Sequence, residues 1–260
     1  MRKLLMIFIV VFLPACNFLP PLHADPSQII VLKPTATATA PATMTPLPTS
    51  TEIAPTASPV PTTDPNFYRD DFNENLAAPW TWIRENSKNW SLATIPGALQ
   101  ISVSQGYVSS HTNTNLLLRP APSGNFQIET QMTFSPEDNF QFAGLIIYES
   151  DSNFIQAGRK FCKSVDCIGE GLYMDYYKNG HVVAPDFGQP YREIDPILLR
   201  LSRQADTYVF EASTDGKVWF VIGSHTSEMA PLQIGLVTGQ RIKGNPISAE
   251  FDYFEVRSLP

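Results

Sequence analysis

From residue 66 onward the chain alternates apolar and polar positions in short runs. ALQISVS (98–104), NFQIETQMTF (125–134), TYVFEAST (207–214) and AEFDYFEV (249–256) all repeat with a period of two. That period places alternate side chains on opposite faces of a half-buried strand. FQFAGLIIYES (140–150) is longer and more continuously apolar, which predicts a central strand buried on both faces. Turn signals separate the runs at Pro96-Gly97, Ser123-Gly124, Ser135-Pro136, Asn179-Gly180, Asp215-Gly216 and Lys243-Gly244. Helical spacing never persists beyond a turn or two. The pattern therefore predicts an all-β antiparallel sandwich over residues 66–260.

The first 65 residues follow other rules. Arg2 and Lys3 precede an unbroken apolar run, Leu4 to Leu13. A bilayer span needs about 20 apolar residues, so this run fits the core of a signal peptide over 1–15 instead. It ends in Leu13-Pro14-Ala15-Cys16. That order resembles a bacterial lipobox, which implies lipidation of Cys16 and an extracytoplasmic domain held at the cell membrane. Residues 16–65 then form a tether. Within 33–65, Thr, Pro and Ala fill 24 of 33 positions, and no aromatic residue occurs between Phe18 and Phe67. Such a composition cannot bury enough apolar surface to offset its ordering entropy and predicts a disordered linker. Fully extended, it would reach about 100 Å.

Charge and cysteine usage narrow the function classes. Loss of Arg2 and Lys3 with the signal leaves 16 basic residues against 25 acidic, a net charge of −9. No basic stripe is present, so nucleic acid is not an expected partner. Cys162 and Cys167 lie in FCKSVDCIGEG with C-x4-C spacing. Outside the cytoplasm they are expected to form a loop-closing disulfide. A metal site at these cysteines would need partners, and His23, His111, His181 and His225 have no ligand spacing.

Several segments in order carry a family resemblance: DDFNENLAAPWTWIRENSKNWSL (70–92), PGALQI (96–101), FSPEDNFQFAGLIIYESDSNFIQAG (134–158), LLRLSR (198–203), STDGKVWFVIG (213–223) and AEFDYFEV (249–256). Together they resemble the concanavalin-A-like lectin/glucanase superfamily. The similarity is greatest to the C-terminal accessory sandwich of family-43 β-xylosidases. It implies a concanavalin-A-like jelly roll whose concave sheet can cradle a polysaccharide. Those enzymes carry a catalytic propeller ahead of this domain; here a signal and a tether stand in its place, so that activity does not carry over. Superfamily glucanases place a Glu-x-Asp-x-x-Glu set on one strand. The nearest match here, Glu193-Ile194-Asp195-Pro196-Ile197-Leu198, lacks the third carboxylate, and Pro196 would interrupt a ladder. The chain is expected to be a non-enzyme.

Candidate ligand contacts follow from alternation. In WTWIRENSKNW (80–90), Trp80, Trp82 and Arg84 share one strand face, opposite Thr81, Ile83 and Glu85. Sugar rings stack their apolar face on such aromatics while polar groups fix the hydroxyls. Ala143, Leu145 and Ile147 suit the core, which turns Tyr148 toward the groove; Gln156 and Arg200 face outward by the same reasoning. Trp90 and Trp219 read as structural anchors. Asp71 and Asp252, near the paired first and last strands, are candidate ligands of a structural calcium ion, as in glucanase relatives. The expected protein is a monomeric, lipid-anchored polysaccharide binder. The alternatives are a protein-interaction sandwich with a filled groove and a cryptic glycosidase with two facing carboxylates.

Overall fold

The computed structural model describes residues 66–165, 167–193 and 196–260. The expected signal peptide, Cys16 and the tether lie outside these residues, as do Ile194 and Asp195. In chain order the strands are β1 (Phe67–Asp70), β2 (Thr81–Ile83), β3 (Trp90–Ser91), β4 (Leu99–Ser102), β5 (Leu116–Pro120), β6 (Phe126–Thr133), β7 (Gln141–Ser150), β8 (Asn153–Cys162), β9 (Gly169–Lys178), β10 (His181–Val182), β11 (Phe187–Pro190), β12 (Ile197–Gln204), β13 (Thr207–Ser213), β14 (Phe220–Thr226), β15 (Gln233–Gln240) and β16 (Ser248–Ser258). Helix among the described residues is confined to two 3-10 turns, Ser87–Asn89 and Val108–Ser110.

These strands form two antiparallel sheets of eight. The first runs β14-β13-β12-β6-β16-β4-β3, with β1 also on β16; the second runs β10-β9-β8-β7-β15-β5-β2, with β11 on β9. The predicted central strand is β7, buried over its first eight positions and flanked by β8 and β15. Between the sheets lies one apolar cluster that includes Phe72, Ile128, Leu145, Leu199 and Phe251, each fully buried. Asn179-Gly180 makes the expected two-residue hairpin: both residues have positive φ (54° and 78°), and Lys178 pairs directly with His181.

Two tryptophan expectations are corrected here. Trp80 and Trp82 do not face a groove; both pack against the core between the sheets. β2 is only three residues long, so Trp80 precedes it and Arg84 follows it. Within β2 it is Ile83 that packs on the other face of the sheet. Trp80 is held in place by Asp70, a buried carboxylate. Asp70 accepts hydrogen bonds from the backbone N–H of Phe72 (3.0 Å) and Ala77 (2.9 Å) and from Trp80 Nε1 (2.8 Å). One side chain thus closes the turn after β1 and docks the indole against Phe254.

Cys162 and Cys167 form the expected disulfide, closing the loop between β8 and β9. The calcium expectation finds little support. Asp71 pairs with Arg69 at 2.7 Å, and Asp252 accepts from Gln131 at 2.5 Å. Among the described residues no group of three His, Cys, Asp or Glu side chains could hold a metal.

His225 lies at the β14 edge of the core, buried between Tyr176 and Phe187. Burial lowers its pKa from the ordinary 6.5, against a weaker opposing pull from Asp186 and Asp175. The unfolded chain therefore binds the proton more readily than the folded one. His225 stability is complete above pH 6.5 and is lost as pH falls below it. His225→Phe should flatten the fall in urea midpoint between pH 7.5 and 5.0; an unchanged fall would refute the assignment. Separately, Asp70→Ala should cost about 3 kcal/mol in urea unfolding, because three donors lose their acceptor.

Candidate functional site

The outer face of the second sheet carries the aromatic and polar residues expected of the concave side that the family resemblance implies, and the chain itself covers part of it. Its apolar half consists of Leu116, Leu118, Phe142, Ile146, Tyr148, Phe154 and Val237. Water would not tolerate such a patch uncovered. The segment after β4 crosses it: Gly106 N–H donates to the Gln240 carbonyl at 2.8 Å, and Val108 from the 3-10 turn buries itself in the patch. The predicted groove is therefore partly filled from within. Tyr148 faces this side as expected, but beneath the cover and only 8% exposed.

Arg84 pins the cover down. Its φ of +53° breaks the strand alternation, so its side chain swings to the concave side, away from the tryptophans. Its guanidinium donates to the Asn113 carbonyl (2.7 Å) and to Asn113 Oδ1 (2.6 Å). It also forms a two-point pair with Asp151 at 2.7 and 3.0 Å. Asp151 additionally accepts from Tyr148 Oη at 3.1 Å and lies 2.8 Å from His111 Nδ1. Burial pushes the Asp151 carboxyl up, but Arg84, Tyr148 and His111 together outweigh it and hold the group below the usual carboxylate value. Arg84 is thus a clamp between the covering loop and the β7–β8 turn.

Beyond the cover the concave face turns polar. Cross-strand register sets Gly144 opposite Gly158, and Gly158 opposite Tyr173. A Cβ at either glycine would sit 2.1–2.2 Å from a backbone oxygen of the neighbouring strand. The two glycines let the β7 and β8 backbones approach closely here. On the same face Lys160 Nζ contacts both Asp175 oxygens at 2.9 and 2.8 Å and lies 4.4 Å from the Tyr173 ring centre. Gln156 does face this side, as expected; it is 2% exposed and donates to Asp175 at 3.0 Å.

This cluster adjoins a cleft of about 340 Å³ between the covering loop and the β9–β10 hairpin, lined by Tyr107, Ser109, Tyr177, His181 and Arg241 among others. Burial raises the phenol of Tyr177 to about 12, and Asp175 adds to the rise. Tyr107 is likewise raised by burial, with Asp175 and Tyr177 adding and Arg241 opposing. Both phenols therefore stay neutral at physiological pH, as hydroxyl donors and acceptors beside aromatic faces.

The remaining expected contact lies elsewhere. Arg200 points outward, but from the first sheet. It stacks 3.4 Å above the Trp219 ring and pairs with Glu129 at 2.9 Å. Of the predicted set the structure brings together only Arg84 and Tyr148, through Asp151, and leaves Gln156 in the neighbouring polar cluster. Lys160, Asp175, Tyr107, Tyr173 and Tyr177 were not singled out in the sequence. The signal available was LYMDYY (172–177), where alternation puts Tyr173, Asp175 and Tyr177 on one face and a charge inside an otherwise apolar strand.

Two back-to-back antiparallel sheets, the second with a loop-covered outer face, define a concanavalin-A-like sandwich. The chain belongs to the family of the β-xylosidase C-terminal concanavalin-A-like domain, whose description matches residues 69–257. It is 25% identical over 209 residues to a xylan 1,3-β-xylosidase of a Vibrio species, covering 72% of this chain and 37% of that one. Among solved structures it resembles the GH43 BlXynB protein from Bacillus licheniformis (TM-score 0.66, 20% identity, 75% of this chain and 40% of that one). It also resembles a xylan β-1,4-xylosidase from Bacillus halodurans (TM-score 0.63, 21% identity, 75% and 39%). The chain thus spans about two fifths of these relatives, and what it matches is their C-terminal domain.

Arg84→Ala should release the covering loop. Amide exchange across residues 105–115 should rise about tenfold, with about 2 kcal/mol lost in global stability because Asp151 keeps a poorly paired charge. Unchanged protection of the loop would show that Val108 burial alone holds it.

Proposed function

We propose that this chain is a lipoprotein of the bacterial surface that displays a non-catalytic, carbohydrate-binding sandwich, anchored through a lipid on Cys16. The observation that carries the binding reading is the buried Lys160–Asp175–Gln156 cluster beside the tyrosine-lined cleft. Burying an ion pair costs more than burying apolar residues of similar size, unless the polar groups serve another end. Neutral phenols and serine hydroxyls around a small cleft are suited to sugar hydroxyls, and tyrosine faces are suited to the apolar side of a pyranose. The names of the relatives, which act on xylan, fit a plant or cell-wall polysaccharide as the ligand class. The match to the C-terminal domain of the xylosidases supports the non-catalytic reading.

A second reading, a protein-interaction sandwich, draws on the Val108 cover, which fills the half of the face that a large glycan would otherwise occupy.

The test is xylan and glucan binding by the full chain in detergent, with Tyr177→Ala and Arg200→Ala alongside. Tyr177→Ala should weaken binding about tenfold, and Arg200→Ala, on the opposite sheet, should leave it unchanged. Absence of binding to every polysaccharide would favour the protein-interaction reading. For the anchor, cells fed an alkyne fatty acid should label the wild-type chain and not Cys16→Ala; an unlabelled wild type would refute lipidation.

A further inference from the structure

We propose a second carbohydrate subsite at the edge of the sandwich, with Trp90 as its stacking wall and a neutral glycan chain as its ligand. It rests on the carbohydrate-binding reading above and lies apart from the concave cleft. β3 ends the first sheet and β2 ends the second, so one edge of each is left without a strand partner. An open groove of about 1070 Å³ runs here, between the segment after β1 and the segment after β3.

Its lining has the chemistry of a sugar site. Trp90 is half-buried and borders the groove. Trp82 backs its ring at 4.9 Å with a tilt of 31°, and Trp90 Nε1 donates to Glu85 at 3.1 Å, so the indole is fixed in plane before any ligand arrives. A pre-set aromatic wall avoids the ordering cost of binding. Leu76 and Leu92 supply apolar ground and pack on the main core. Asn73, Glu74 and Asn75 line the same groove with exposed side chains. None of these three makes a side-chain hydrogen bond or ion pair among the described residues. Two amides and a carboxylate can donate to and accept from sugar hydroxyls around a ring stacked on Trp90.

Charge sets the class of glycan. The lining contains Glu74 and no Lys, Arg or His. An acidic glycan would meet repulsion without a counter-charge, so the groove favours neutral chains. The concave cleft, with Arg241 and His181 in its lining, differs in this respect. Two sites on one domain would let a single polysaccharide chain be held at two points, or two chains be bridged.

The experiment is a titration of the full chain with xylohexaose and with an oligogalacturonate, followed by calorimetry and by tryptophan fluorescence. The wild type should take two xylohexaose molecules per chain. Trp90→Phe should reduce this to one and abolish most of the fluorescence change. Trp90 packs on Trp82, so an Asn73→Ala/Asn75→Ala double variant guards against misfolding; it should weaken the edge site about tenfold with an unchanged urea midpoint. Tyr177→Ala should keep the edge site alone. One molecule bound per chain, unaffected by the Trp90 and asparagine changes but lost in Tyr177→Ala, would overturn the edge subsite and leave the proposed function standing. Binding of oligogalacturonate at the edge would overturn the neutral-glycan assignment. No binding of xylohexaose by the wild type, together with none to any polysaccharide, would remove both.

Discussion

Every strand of both sheets except the two-residue β10 gives one face to the apolar core between them, and the remaining architecture follows from that demand. A strand has only two faces. Once Ala143, Leu145 and Ile147 of β7 are committed inward, Phe142, Gly144, Ile146 and Tyr148 must face out. On the first sheet the outward residues are polar and pair among themselves, as Arg200 does with Glu129 and Arg69 with Glu255. On the second sheet they are apolar over half the surface. That half needs its own cover, and the loop from β4 to β5 supplies it with Val108. The cover leaves the polar half of this face, and the sandwich edges, as the uncovered ground.

The cover depends in turn on one arginine. Val108 contributes a single apolar side chain, worth about 2 kcal/mol when buried, which is little to hold a loop of this length. Arg84 adds four hydrogen bonds to Asn113 and Asp151. Because Asp151 sits in the turn joining β7 to β8, the same carboxylate ties together the loop, the sheet and the strand end at Ile83. The left-handed backbone at Arg84 is what turns the guanidinium to this side.

How much of this was legible in the sequence depends on which physical relation carried it. Alternation within a strand is local, so the sandwich, the central strand at 141–150 and the inward set of β7 could be read directly. Alternation also gave Arg200 and Gln156 as outward-facing, correctly. It does not say which sheet a strand joins, and Arg200 proved to lie on the sheet away from the concave face. In WTWIR the period of two failed because β2 lasts only three residues; Trp80 precedes it, and Arg84 leaves the strand with positive φ. A residue-by-residue pattern has no means of placing that break. The Lys160–Asp175 pair is non-local in another way: its partners sit on neighbouring strands and meet across the Gly158–Tyr173 pair.

That pair also bears on whether the concave face is mere surface. Tyr148, Phe154 and Tyr177 occupy one cross-strand row of this face, and Phe154 stacks on Tyr177 at 4.5 Å. The neighbouring row holds Ile146, Gln156 and Asp175. The same covering loop lies over both, so an aliphatic residue at 156 or 175 would be in keeping with its surroundings. Instead a carboxylate and an amide are buried there, bonded to each other, with the carboxylate also paired to the largely covered Lys160 ammonium. The three groups hold one another in fixed positions, and a rigid set of polar atoms meets any polar partner with less ordering cost than a mobile one.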